Sequence, residues 1–486
     1  MTLMDTGTWD GLVFSDGWTE AGGGDAPVVE PATGKELART GIAGADDVAR
    51  ATRRAAEAQR EWAATSFEER AAVIRRAAAL FEEHGAEIQD WIVRETGAVP
   101  PKAQLETHVA AQESYEAATL PSRPYGELLP TAAPRLSLAR RRPVGVVGVI
   151  APFNFPLILS IRSVAPALAL GNAVVLKPDA RTAVSGGVVL ARVFQEAGLP
   201  DGLLHVLPGG VETGVALVED PLVPVISFTG SSAAGRKVGE AAGRLLKRAH
   251  LELGGNSALI VLDDADLDLA VSAGAFGSFL HQGQVCMTTG RHLVHERVAD
   301  EYVEKLAAKA EGLPVGDPAS GQVALGPLID AGQRDKVHEL VTASVDGGAR
   351  LAAGGTFENL FYRPTVLDDV TPQSPAYAQE VFGPVAPVLR FRDADEAAAL
   401  AADTDYGLAL GILSNDVMAA LELAERIPSG IVHINDQTVN DDPQAPFGGV
   451  GASGNGSRFG GAAANVEAFT EAQWVTVRGA IAPYPF

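Results

Sequence analysis

One thiol, Cys286, stands alone in a chain of 486 residues. A single cysteine excludes an intrachain disulfide and leaves two readings, an inert buried thiol or a reactive one. It ends the run Phe279-Leu280-His281-Gln282-Gly283-Gln284-Val285-Cys286, read as an apolar helical stretch with a glycine near its end. A nucleophilic thiol needs a carbonyl electrophile and an oxyanion donor nearby. Pro152-Phe153-Asn154-Phe155-Pro156 offers that donor, because an asparagine between aromatics and prolines at a strand end is poorly explained by packing, and its amide can hydrogen-bond a developing oxyanion. Glu252, between leucines and before Gly254-Gly255, is either a surface carboxylate or a desolvated one whose raised pKa suits a general base near neutrality. His281 lies five residues before the thiol, a helical spacing that turns it away, so it is read as structural.

The elements that must position these groups change character along the chain. Ala45 to Thr96 is helical in pattern, with Ser66 and Glu69 in a capping arrangement and Gly97 as a stop. From Val144, short β-rich runs alternate with helical segments: Val144 to Ile150, Ala173 to Leu176, Leu203 to Val206 and Val225 to Phe228. That alternation predicts a parallel α/β sheet. The last of these runs leads into Thr229-Gly230-Ser231-Ser232-Ala233-Ala234-Gly235 and a helix, a turn that either packs tightly or faces a pyrophosphate with its N–H groups. A second β/α block spans about Leu259 to Asn435. Arg135 to Pro143, after a stretch rich in proline (Pro121, Pro124, Pro130, Pro134), reads as a strand leaving the domain or a solvated linker, and Trp474 to Val477 as a β-like tail.

Composition narrows the partners. At 47% hydrophobic and 20% charged residues the chain is globular, and its length implies more than one domain. A net charge of −23 repels a phosphate backbone, so nucleic acid is not an expected partner. Val144 to Leu176 is broken by prolines, asparagines and Arg162 and cannot supply the roughly 20 successive apolar residues of a membrane span. The N-terminus lacks a basic segment followed by an apolar one, so a cytoplasmic location is expected. Asp264, Asp266 and Asp268 imitate the start of a calcium loop, but Leu269 and Ala275 stand where its glycine and glutamate belong. No metal is expected.

Taken in order, Pro152-x-Asn154-Phe155-Pro156, Lys177-Pro178, Phe228-Thr229-Gly230-Ser231, Glu252-Leu253-Gly254-Gly255, Gly283-Gln284-x-Cys286, Glu380-x-Phe382-Gly383-Pro384 and Pro446-Phe447-Gly448-Gly449 resemble the aldehyde dehydrogenase superfamily over nearly the whole chain. Lys177-Pro178-Asp179 and the run from Asn435 to Phe459 look most like its benzaldehyde and vanillin dehydrogenases. The resemblance implies that Cys286 attacks the aldehyde, that Asn154 and the Cys286 N–H hold the oxyanion, and that Glu252 activates the water that hydrolyses the thioester. It makes Lys177 a contact of the adenosine ribose, places Gly230, Ser231 and Gly235 around the pyrophosphate, and gives Glu380 and Phe382 the nicotinamide ribose. The cofactor implied is NAD. Ala180 stands where many NAD-dependent relatives carry a glutamate, and with Arg181 adjacent NADP is expected to be accepted as well.

Phe155 and Phe447 are implied as aromatic walls of the aldehyde tunnel. Arg162, eight residues after Asn154, either meets a polar ring substituent or is a salt-bridged surface arginine. The fold implied is α/β in three parts: a parallel-sheet cofactor domain (residues 1–120 and 144–252), an α/β catalytic domain (253–468) and a small β oligomerisation element (121–143 and 469–486) that pairs subunits into a homodimer or homotetramer. Two rival readings are a semialdehyde dehydrogenase that passes the thioester to coenzyme A, against which Glu252 stands, and a non-catalytic relative that keeps only the fold, against which Cys286, Glu252 and Asn154 stand.

Overall fold

The computed structural model describes residues 2–123 and 126–486; Pro124, placed above in the proline-rich excursion, lies outside the described residues. Three helices occupy the stretch from Ala45 to Thr96. Ser66 caps the second, Phe67–Glu83, accepting from the Glu69 N–H at 3.2 Å while the Glu69 carboxylate reaches back to the Ser66 N–H at 3.3 Å. Gly97 ends the third, Gly85–Thr96, at φ 69°, and a β-carbon there would stand 2.6 Å from Pro327 Cγ. Only glycine both turns left-handed and admits that neighbour.

The alternating β/α stretch folds into a seven-stranded sheet in the order Arg248–Glu252, Val225–Thr229, Val146–Ile150, Ala173–Lys177, Leu204–Val206, Val13–Ser15, Trp18–Thr19. Its first five strands are parallel, as alternation with helices predicts. Chain direction across the sheet reverses between Val146–Ile150 and Val225–Thr229. In such sheets ligands collect at the carboxyl ends of the strands beside that reversal. Asn154, Lys177, Gly230, Ser231 and Glu252 all lie at or just beyond those ends.

Past Glu252 the chain enters a second seven-stranded sheet: Arg350–Ala353, Thr365–Asp368, Val385–Phe391, Thr289–His295, Ser257–Val261, Ala409–Leu413, Ile431–Ile434. All but the first pairing are parallel. Cys286 precedes the amino end of Thr289–His295, and Glu380 and Phe382 that of Val385–Phe391. A third sheet, antiparallel, joins Gly126–Leu128, Leu136–Pro143 and Thr470–Val477. The strand reading of Arg135 to Pro143 therefore holds, and the tail strand begins four residues before Trp474. The helix Gly461–Phe469, all but its last residue assigned above with residues 253–468, packs Ala468 and Phe469 into the core of the first sheet, together with Phe459.

The run before Cys286 departs from expectation. The helix Leu267–Phe279 stops there, and His281 and Gln282 take left-handed conformations at φ 49° and 55°, so Cys286 sits in a loop. The cause is tertiary. Gln282 Nε2 donates to the carbonyls of Gly97 and Pro327 at 3.0 and 2.8 Å, while Gly283 passes so close to the Gly383 carbonyl that a β-carbon would stand 2.1 Å from it. Asp266 caps that helix through the N–H groups of Asp268 and Leu269, which accounts for part of the acidic run. Among the described residues no helix is long and apolar enough to cross a membrane.

Candidate active site

Asn154 lies between the strand Val146–Ile150 and the helix Pro156–Ala169, whose first position is a proline that fits where an N–H would have no partner. Its side chain is buried, and Nδ2 donates to the Gln284 carbonyl at 2.9 Å, tying the end of the first sheet to the loop of Cys286. That loop is held from several sides: Gln284 Oε1 accepts from the Ile329 N–H at 3.0 Å, Thr288 Oγ1 donates to the Gly283 carbonyl at 3.0 Å, and Thr438 Oγ1 to the Met287 carbonyl at 2.6 Å.

Glu252 ends its strand at 3% exposure between Leu251 and Leu253, which excludes the surface reading. Both of its carboxylate oxygens are buried without a hydrogen-bond partner among the described residues. Burial pushes its pKa well above the usual carboxylate range, and Arg162, Arg458 and a looser approach of the Gly449 backbone, short of a hydrogen bond by geometry, draw it back only in part. Burial likewise pushes the Cys286 thiol up to about 12, with Glu380 and then Glu252 adding to the rise. A thiol so placed stays protonated at neutral pH and becomes nucleophilic only when a base takes its proton.

Cys286 and Asn154 line one cavity of about 170 Å³ together with Gly230, Ser231, Glu380 and Phe382. Glu380 Oε1 accepts from the Gly255 N–H at 3.0 Å, and Phe382 is left-handed at φ 55° with its ring edge-on to Phe153 at 5.8 Å. Among the lining residues that carried no assignment in the sequence are Phe153, which stood inside the proline-bounded motif, and Leu159, Gln333 and Lys336, which stood in none. Gln333 Nε2 donates to the Phe382 carbonyl at 2.8 Å and Lys336 Nζ to that of Glu380 at 3.1 Å, so both fix the Glu380–Phe382 segment.

A larger cavity of about 530 Å³ runs between the helices Val211–Glu219 and Ser232–Arg244, lined by Lys177, Asp179, Ala180, Arg181, Val211 and Val215 among others. Ser231 caps the second helix, its Oγ accepting from the Ala234 N–H at 3.3 Å. Gly235 lines neither cavity; a β-carbon there would stand 2.2 Å from Leu253 Cδ2, so its glycine is set by packing. Arg181 is not an open cation. Asp179 holds it through two contacts of 2.9 Å, Asp330 through one of 2.6 Å, and its guanidinium lies 4.3 Å from the Phe153 ring centre.

Phe155 and Phe447, which line neither cavity, join Val285, Met287 and Leu408 in an apolar cluster that includes the cysteine. Arg162 is buried, which corrects the surface reading: it pairs with Glu113 at 3.0 Å and with Asp441, and its guanidinium lies 4.7 Å from the Phe447 ring centre. His281 packs on Phe155 with ring centres 5.5 Å apart, and burial holds its pKa well below the usual value, so it sits neutral.

Residues 18–475 match the model of the aldehyde dehydrogenase family. The chain is 69% identical to the vanillin dehydrogenase of an Amycolatopsis species over 100% of both chains. It is 53% identical to the benzaldehyde dehydrogenase [NAD(+)] of Pseudomonas putida over 98% of each. Among solved structures, a salicylaldehyde dehydrogenase from Pseudomonas putida G7 complexed with salicylaldehyde superimposes at a TM-score of 0.94 with 35% identity, covering 98% of this chain and 99% of that one.

Proposed function

This chain belongs to the aldehyde dehydrogenase family, and from that premise we propose that it oxidises an aromatic aldehyde of the benzaldehyde or vanillin type to the carboxylic acid, with NAD as cofactor. The observation that carries the reading is the meeting of Cys286 and Asn154 in one cavity, with a buried Glu252 at the end of Arg248–Glu252, the edge strand of the first sheet. Cys286 Sγ, its proton passed to solvent water, adds to the carbonyl carbon, and the oxyanion is held by Asn154 Nδ2 and the Cys286 N–H. When bound, the nicotinamide supplies the hydride acceptor. Glu252 then takes a proton from the water that hydrolyses the thioester, releasing the acid and restoring the thiol. Apolar Phe155 and Phe447 suit a flat ring on the substrate side. Arg162 is the polar group of that side, engaged by Glu113 and Asp441.

The residues fit a dinucleotide. Val211 and Val215, 81% and 48% exposed on the wall of the larger cavity, present apolar surface for a flat base. Lys177 stands beside them, and the helix start at Ser232 offers N–H groups that no helix satisfies internally. Because two carboxylates already neutralise Arg181, a 2′-phosphate gains little from it, which supports a preference for NAD over NADP. NAD is expected to exceed NADP in kcat/KM by roughly tenfold or more, equivalent to about 1.4 kcal/mol. Asp330→Asn, which releases one restraint on Arg181, should narrow that ratio; equal kcat/KM with both cofactors in the parent enzyme would contradict the account.

Substrate class is tested by initial rates with benzaldehyde, a hydroxylated benzaldehyde and a short aliphatic aldehyde. Higher kcat/KM for the ring substrates is expected, and preference for the aliphatic one would remove the aromatic assignment while leaving the role of Cys286 intact. The three-stranded sheet, with Leu128 and Trp474 exposed on it, supports a role in joining subunits of a homodimer or homotetramer. We divide the chain into a cofactor-binding part on the first sheet, a catalytic part on the second and this element; the packing of Ala468 and Phe469 supports grouping the helix Gly461–Phe469 with the first.

A further inference from the structure

We propose that Lys102 and Glu106 are positioning residues, a buried ionic couple that holds Asn154 where its amide can meet the oxyanion. The role rests on the reading of Asn154 given above. Lys102 and Glu106 lie one turn apart on the helix Pro100–Ala117, paired with each other and with both side chains wholly shielded from solvent. Lys102 Nζ also donates to the backbone carbonyl of Asn154 at 2.9 Å, and its ammonium lies 4.4 Å from the centre of the Phe155 ring. Glu106 Oε1 accepts from the N–H groups of Leu157 at 2.8 Å and Ile158 at 3.4 Å, in the first turn of the helix that follows Asn154. Those N–H groups have no intrahelical acceptor, and a carboxylate is favoured at a helix start.

One ion pair thus grips the segment Asn154 to Ile158 at both ends: the ammonium at the carbonyl before the proline, the carboxylate at the N–H groups after it. With the backbone fixed there, the Asn154 side chain reaches the Gln284 carbonyl and the loop of Cys286. A buried pair is a costly way to gain stability, since two apolar side chains of similar volume do as well or better. Its geometry accounts for it here: it orders the one turn that carries the oxyanion donor, and the adjoining aromatic wall with it.

The test compares full-length Lys102→Met, Asn154→Ala, their double variant, Lys102→Arg and Lys102→Met/Glu106→Leu, reading kcat and KM for benzaldehyde and Kd for NAD. Lys102→Met is expected to lower kcat roughly 10- to 100-fold, the loss that a displacement of about 1 Å brings to a reacting group, with NAD binding retained. Lys102→Arg should recover part of that loss. The double variant with Asn154→Ala should be no slower than Asn154→Ala alone, because both changes act through one side chain. Lys102→Met/Glu106→Leu, which leaves no buried charge unpaired, should fold and bind NAD yet stay slow. Multiplying losses in the double variant, or full kcat in Lys102→Met/Glu106→Leu, would overturn the positioning role. Unchanged kcat in Asn154→Ala would overturn the oxyanion reading and the positioning role with it.

Discussion

Cys286→Ala is expected to lower aldehyde oxidation by roughly four orders of magnitude or more, the loss seen when a covalent nucleophile is removed from a working constellation. Cofactor binding should persist, because Lys177, Ser231 and the larger cavity lie on the first sheet and not on the cysteine loop. Stability should change little, since the thiol makes no structural bond and the loop is fixed by Gln282, Gln284, Thr288 and Thr438. The check is steady-state cofactor reduction beside a binding titration with reduced cofactor. Turnover within tenfold of the parent would remove Cys286 from the mechanism.

The second large effect belongs to Glu252→Gln. The amide keeps the volume of the carboxyl in its apolar pocket but cannot take a proton from water, so steady-state turnover should fall by roughly 10²- to 10⁴-fold. Acylation does not need that water, so stopped-flow traces should show a burst of reduced cofactor followed by a stall. The pH profile carries the same signature. Because burial raises the Glu252 pKa, its proton-free form is lost as pH falls through that raised value, and the parent rate should fall on the acid side well above the usual carboxylate range. Glu252→Gln should lack that acid limb, and an unaltered profile would assign it to another group.

Local signals made much of the frame readable. Ser66 and Glu69 are three residues apart and Gly97 stands where its helix ends, so capping needed no knowledge of the rest of the chain. The four β runs are rich in apolar residues, buried on both faces and bounded by turns, as parallel strands are. The cysteine loop was not readable in that way, because His281 and Gln282 turn left-handed to suit Gly97, Pro327 and Gly383, all far away in the chain. Arg162 stayed ambiguous for the same reason: its partners lie 49 and 279 residues distant. Lys102 and Glu106, four residues apart on a helix, carry the spacing of an ordinary surface ion pair. Nothing short of the packed structure places Asn154 above them. Gly235 carries a second demand that its turn did not reveal, since a β-carbon there would also strike Leu253.

The central claim is that the substrate is carried as an acyl group on Cys286. Glu252→Gln enzyme mixed with benzaldehyde and NAD, quenched in acid after the burst and digested, puts that claim to mass spectrometry. The account predicts a benzoyl group on the peptide that contains Cys286, at a stoichiometry matching the burst; a burst of reduced cofactor with that peptide unmodified would contradict it.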